Sequence, residues 1–118
     1  MIDKSKSEKF EVLDQSGDHK YFTMIPNCIV NGSTAMEQAL YIQLKRYAGE
    51  SGKCFVSART LAKKMGSSHS TVFKYLEKLI ARGWIRKEGS MHTGARPANC
   101  YSVVDIWKEN VGRYEKNE

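Results

Sequence analysis

The sequence contains few cysteines, and no two of them lie close together in the sequence. Its 118 residues include only three cysteines, Cys28, Cys54 and Cys100, which lie far apart and form no C-x-x-C motif. An odd number of scattered cysteines argues against a disulfide framework and against a zinc site. The three histidines are equally scattered. We therefore expect reduced, mostly buried cysteines and neither a bound metal nor another cofactor.

Long apolar runs and an apolar leader are also lacking. No stretch approaches the roughly 18 apolar residues that a membrane span requires. The first residues, M-I-D-K-S-K-S-E-K, lack the apolar core of a signal peptide. Only two prolines interrupt the chain and 41% of its residues are hydrophobic, which is enough for one modest core. These features predict a cytoplasmic protein with no membrane partner.

The motifs of common catalytic sites are absent as well. The chain contains no G-x-x-x-x-G-K-[ST], no G-x-S-x-G and no H-E-x-x-H, and the few acidic residues of its basic middle are not paired. His69 lies between Ser68 and Ser70. Adjacent helical side chains point about 100° apart and cannot form a proton relay. The sequence therefore predicts a protein that is not an enzyme.

Positive charge is concentrated in one part of the chain. The formal net charge is +6. Residues 57–97 carry nine Lys or Arg against two Glu, a net +7, so the remainder of the chain is close to neutral. A basic patch confined to one structural unit indicates a polyanion as partner.

The start of this basic part has the pattern of two helices separated by a tight break. Ser57 is placed to cap a short helix over about residues 58–65. Gly66 follows, and glycine most easily adopts the left-handed conformation that ends a helix. The pattern predicts a helix, a turn and a second helix.

The second helix, over about residues 68–82, is predicted to be amphipathic, with Ser67 or Ser68 as its cap and Gly83 closing it. Its apolar stripe comprises Val72, Leu76, Leu79, Ile80 and Gly83. The opposite face comprises Ser67, Ser70, Thr71, Lys74, Glu77 and Lys78. Short hydroxyls can approach base edges and lysines can reach phosphates. An ordinary amphipathic helix shows a similar solvated face, so the choice between a DNA-reading helix and an ordinary surface helix depends on the charge pattern of the surrounding chain.

The segment before the helix pair is predicted to contain an extension, a hairpin and a scaffold helix. Residues 1–20 are predicted to be an N-terminal extension that is either partly disordered or part of a β-hairpin, and the runs 10–13 and 21–25 around Gly17 have the pattern of such a hairpin. Residues 27–32, N-C-I-V-N-G, are predicted to be a loop.

Thr34 and Glu37 have capping-box spacing for a helix over about residues 35–48. Its predicted buried stripe comprises Met36, Ala39, Leu40, Leu44 and Tyr47. Residues 54–56 follow as a short extended piece.

The segment after Gly83 is predicted to be a β-hairpin. Residues 84–88 form the outgoing strand, 89–97 a flexible basic tip, and 99–104 the return strand.

A last helix, over about residues 106–114, is predicted to start at an Asp105 cap. Its Trp107 and Tyr114 lie on one face and either pack back on the domain or contact a second copy in a homodimer.

Six segments in this order resemble a winged helix-turn-helix family found in phage and plasmid replication initiators and small bacterial regulators. They are F-T-M-I-P-N (22–27), A-L-Y-I-Q-L-K-R-Y-A (39–48), G-K-C-F-V-S (52–57), L-A-K-K-M-G (61–66), S-T-V-F-K-Y-L-E-K-L (70–79) and G-W-I-R (83–86). The resemblance implies an α+β fold in which a three-helix core carries a hairpin wing. It covers about residues 21–104, and the predicted N-terminal β segment and the C-terminal helix and tail over residues 105–118 complete the expected fold.

The resemblance, the polar face of the second helix and the net charge of +7 over residues 57–97 together predict a sequence-specific protein for double-stranded DNA. The second helix would enter the major groove and the wing, about residues 86–99, would lie on flanking DNA. The expected contacts are Ser57, Arg59, Lys63, Ser67, Ser68, His69, Ser70, Thr71, Lys74, Lys78, Lys87 and Arg96. The protein would be a small regulator or an accessory to plasmid or phage replication or transfer, with proteins of those processes as partners. The alternative is a winged-helix docking module that reads no DNA, which an exposed Phe73 would favour.

Overall fold

The computed structural model of the protein describes residues 10–16, 20–49, 53–93 and 96–115. Within them, five helices and three strands follow one another: α1 Asn27–Gly32, α2 Ala35–Ala48, β1 Lys53–Phe55, α3 Ala58–Met65, α4 His69–Ala81, β2 Ile85–Thr93, β3 Arg96–Val103 and α5 Trp107–Glu115. The strands form one antiparallel sheet in the order β1-β3-β2. Helices α2, α3 and α4 pack together against this sheet.

Helix α2 begins and ends where the capping box predicts. Thr34 Oγ1 accepts a hydrogen bond from the backbone N–H of Glu37 at 3.4 Å, and Glu37 Oε1 accepts one from the N–H of Thr34 at 3.0 Å. Its buried face differs slightly from the predicted stripe. Leu40 and Leu44 are buried as expected, whereas Tyr41 is buried in place of the predicted Tyr47, which is only partly covered.

The core lies between α2, α4 and the start of β2. The Tyr41 and Trp84 rings meet edge to face, with their centroids 6.3 Å apart and their planes at 78°. Burial raises the pKa of Tyr41 to about 12, so its hydroxyl stays neutral at physiological pH. This contact fixes Trp84, which follows the α4 terminus, against the scaffold helix.

The N-terminal part of the fold differs from its prediction. Residues 10–16 and 20–26 contain no strand, so the predicted hairpin is wrong, and its turn at Gly17 lies outside the described residues. Residues 27–32 form α1 instead of a loop. The reason is tertiary: Cys28 and Ile29 are fully buried, and the N–H of Cys28 donates to Asn110 Oδ1 of α5 at 2.8 Å. Six residues would hardly form a helix without these partners.

The wing hairpin is longer and more regular than predicted. Strands β2 and β3 remain paired as far as Thr93 and Arg96, so most of the predicted flexible tip is strand. A bulge between Lys87 and Gly89 adjusts the register. Pro97 is accommodated because it lies beyond the end of β1, where β3 has a neighbour on one side only.

Helix α5 packs against α1, and the residue before its first turn belongs to the core. Asp105 Oδ1 accepts the N–H of Trp107 at 3.1 Å, as predicted, and Ile106 belongs to the core. Tyr114 accepts a hydrogen bond from the Asn31 side chain, while Trp107 and Val111 remain partly exposed.

The arrangement of α2, α3, α4 and the β2–β3 hairpin is a winged helix-turn-helix, as the sequence predicts. In the described part of the chain, no helix combines the length and apolar character needed to cross a membrane.

Candidate nucleic-acid interface

The turn between α3 and α4 is held by local hydrogen bonds at both sides. Helix α3 begins after Ser57, whose Oγ accepts from the N–H of Thr60 at 3.1 Å. It ends at Gly66, with φ 63° and ψ 38°, in the left-handed conformation that a glycine adopts without strain. Of the two serines predicted as cap of α4, Ser68 fills the role, since its Oγ accepts from the N–H of Thr71 at 3.2 Å.

We expect the substitution Ser68→Ala to lower the free energy of unfolding by about 1 kcal/mol, because the amide of Thr71 loses its partner. Urea unfolding monitored by circular dichroism measures this change. Ser70→Ala is the matched control, since Ser70 is exposed and its hydroxyl, which lies 3.5 Å from Ser68 Oγ, accepts from no backbone amide among the described residues. Equal stability of the two variants would contradict the capping role.

Helix α4 has one buried and one exposed face. Val72, Leu76 and Leu79 are buried, in agreement with the predicted stripe. The opposite face carries exposed Ser70, Lys74, Glu77 and Lys78, with Thr71 partly covered, whereas His69 is exposed at the N-terminus of the helix, on the same angular side as the apolar stripe. The helix thus presents two hydroxyls, two ammonium groups and one carboxylate on the side away from the core.

Ser67 does not share this face. Its Oγ is buried and has no hydrogen-bond partner among the described residues. The physical reason is that Ser67 lies in the turn after the left-handed Gly66, where its N–H donates to the Ala62 carbonyl at 2.9 Å, and not on α4 itself. The structure therefore separates Ser67 from the surface on which the sequence had placed it.

The basic residues expected at the DNA backbone surround α4. Arg59 and Lys63 are exposed on α3, and Lys87 is exposed on β2. Lys74 and Lys78 lie over the Tyr75 ring, with Nζ 5.6 Å and 5.1 Å from its centroid. For Arg96 the structure gives the backbone, which pairs with Thr93, but its side chain lies outside the description.

An ion pair that the sequence did not reveal joins the scaffold helix to the end of α4. Arg82 Nε lies 2.5 Å from Glu37 Oε2, and Arg82 Nη2 lies 3.1 Å from Oε1. Glu37 is only 2% exposed, and the hydrogen bonds from Arg82, with those from Thr34, lower its pKa to about 2. The partners are 45 residues apart, and Glu37 already had a role in the capping box, so no spacing pointed to the pair.

Two ion pairs within the fold reduce the positive charge that is available to bind a ligand. Arg82 is paired with Glu37, and Arg86 Nε lies 2.8 Å from Glu88 Oε1. Two of the nine basic residues in 57–97 are therefore compensated within the fold. Those left without an ion pair on the described surface are Arg59, Lys63, Lys64, Lys74, Lys78 and Lys87. Within the described ranges, no three potential ligands gather to hold a metal ion.

Comparison with known proteins agrees with this geometry. The family model of a helix-turn-helix domain matches residues 34–85, from the cap of α2 to the first residue of β2. Protein YmfN of Escherichia coli (strain K12) is 26% identical over 84 residues, which make up 71% of this chain. The chain spans 18% of the length of that relative.

Proposed function

We propose that this protein binds double-stranded DNA sequence-specifically, a function that the match of residues 34–85 to the family model of a helix-turn-helix domain supports. Helix α4 enters the major groove, and the β2–β3 wing lies on the flanking backbone or minor groove. The observation that carries the proposal is the face of α4 opposite Val72, Leu76 and Leu79. This face is exposed, carries hydroxyls and lysines, and is covered by no other helix or strand of the described residues.

The roles within this face follow from side-chain chemistry. Ser70, Thr71 and His69, at the N-terminal end of α4, approach base edges, since a recognition helix reads bases with its first turns. Lys74, Lys78, Arg59 and the other free cations contact phosphates and supply affinity that carries little sequence information. Ser57 and Ser68 contribute through the helix N-termini that they cap.

The biological role that we propose is that of a small regulator or of an accessory to plasmid or phage replication or transfer. It acts by occupying a site or recruiting a partner, not by catalysis, and needs no cofactor. One observation favours a second candidate, a protein-docking module: Phe73 on α4 is 47% exposed beside Lys74. Docking alone, however, does not require the basic surface around α4.

The test is fluorescence anisotropy with a pool of random duplexes at several salt concentrations, followed by selection of tight binders. We expect binding to fall with salt by about 0.9 log–log units per phosphate contacted, with enrichment of one motif. Steep salt dependence without enrichment of a motif would show that the protein binds DNA without sequence specificity. No binding at low salt would refute the proposal and favour the docking alternative.

A further inference from the structure

The first described segment of the chain carries apolar side chains that the fold leaves uncovered. In the N-terminal segment, defined as residues 10–16, Phe10 is 83%, Val12 76% and Leu13 68% exposed. Single exposed apolar residues are common, but three within four positions form a patch that typically marks an interaction site. Glu11 and Asp14 alternate with them, so the segment is apolar and acidic at once.

A pocket of complementary character lies where this part of the chain joins the domain. The aromatic pocket, a cleft of about 380 Å³, is lined chiefly by Phe22, Met24, Lys45, Arg46 and Trp107. Its volume falls within the range of about 300–1,000 Å³ found for sites that enclose a ligand. The pocket is therefore large enough to receive one or two large side chains.

The two surfaces match in both polarity and charge. Phe22, Met24 and Trp107 offer partly exposed apolar area. Lys45 Nζ lies 5.9 Å from the Trp107 ring centroid, which places a cation over the apolar wall. A ligand that combines aromatic or aliphatic side chains with carboxylates fits this pocket, and the N-terminal segment has both.

We propose that the N-terminal segment of one copy docks in the aromatic pocket of a second copy. A single chain leaves Phe10, Val12 and Leu13 exposed although its own pocket begins at Phe22. A chain of about twelve residues spans up to about 40 Å, enough to reach a neighbouring domain. Because each copy carries both surfaces, reciprocal docking closes a symmetric dimer. This inference is independent of the proposed DNA binding.

Charge reversal on each surface tests the proposal. The segment variant is Glu11→Lys with Asp14→Lys, and the pocket variant is Lys45→Glu with Arg46→Glu. Sedimentation velocity should show a dimer for the parent chain. For each variant alone, the dissociation constant of the dimer should rise by about tenfold or more. A one-to-one mixture of the two variants should dimerise again, since every segment then meets a pocket of opposite charge.

The matched control is Lys63→Glu with Lys64→Glu, which makes the same charge change at the end of α3 and should leave the parent's dimerisation intact. Circular dichroism checks that every variant is folded. A monomeric parent overturns the proposal. So does a mixture that stays monomeric, because restoring opposite charges on the segment and the pocket would then have failed to restore the contact between copies. The proposal would also be overturned if the pocket variant dimerised like the parent but bound DNA more weakly, because the pocket would then be part of the DNA-binding surface.

Discussion

Replacing Arg82 with alanine is expected to lower the free energy of unfolding by about 2 kcal/mol. The substitution leaves the Glu37 carboxylate almost fully buried while Oε2 loses the guanidinium that compensates its charge. Breaking a buried pair typically costs about 3–5 kcal/mol, and we take a smaller value because Arg82 is itself 39% exposed. The loss also includes contact of the guanidinium with the Trp84 ring, 4.8 Å away. Urea unfolding at neutral pH measures the change.

The pH dependence of stability should identify the same pair. The hydrogen bonds from Arg82, and to a smaller extent those from Thr34, lower the pKa of Glu37 from 4.5 to about 2 in the folded chain. The contribution of the ionised group is therefore complete above its unfolded pKa, and is lost as pH falls from about 5 towards 2. In Arg82→Ala this decline should be smaller, because the folded and unfolded pKa values of Glu37 move closer together.

Two variants separate the buried pair from a generic charge effect. Arg86→Ala removes the same side chain from an exposed pair with Glu88 and should change stability by less than about 1 kcal/mol. Glu37→Gln keeps an oxygen that can accept from the Thr34 N–H but removes the carboxylate. It should therefore abolish the part of the pH dependence of stability that is attributed to Glu37. Equal stability losses for Arg82→Ala and Arg86→Ala would contradict the assigned role of Glu37.

The features that could be predicted from sequence are those decided by nearby residues. The Thr34–Glu37 box starts α2, Ser57 and the left-handed Gly66 bound α3, and a serine cap starts α4. Each of these features involves atoms within about one helical turn. The exposed face of α4 follows from the same bounds, since a known helix start and a period of 3.6 residues fix which side chains oppose the apolar stripe.

The features that were missed depend on partners far away in sequence. Helix α1 is stabilised by burial and by Asn110, and nothing in N-C-I-V-N-G itself favours a helix. The Glu37–Arg82 pair likewise exists only because α2 and α4 pack together. Ser67 was misplaced for a local reason, since a shift of one residue at the cap moves a side chain from the helix into the turn.

Replacing Lys74 with alanine is expected to reduce affinity for duplex DNA about tenfold and to lower the slope of log affinity against log salt by about 0.9. Lys74 is exposed on α4, with its ammonium held over the Tyr75 ring and no acidic partner in an ion pair among the described side chains. Because a phosphate contact reads no base, the loss should be similar for preferred and random duplexes. Arg96→Ala should act likewise if the wing rests on the backbone. Fluorescence anisotropy at several salt concentrations measures both quantities.

The matched control is Lys108→Ala, which removes one exposed lysine from α5, outside the helix-turn-helix, and should change neither affinity nor slope appreciably. Ser70→Ala tests the contacts with base edges. It should reduce the difference in affinity between preferred and random duplexes. The slope of log affinity against log salt should stay unchanged, because a hydroxyl at a base edge releases no counterion. Lys74, Ser70 and Lys108 are exposed, so the stability of these three variants should stay within about 0.5 kcal/mol of the parent. If Lys74→Ala and Arg96→Ala bind duplex DNA like the parent and melt normally, the DNA does not dock on α4 and the wing.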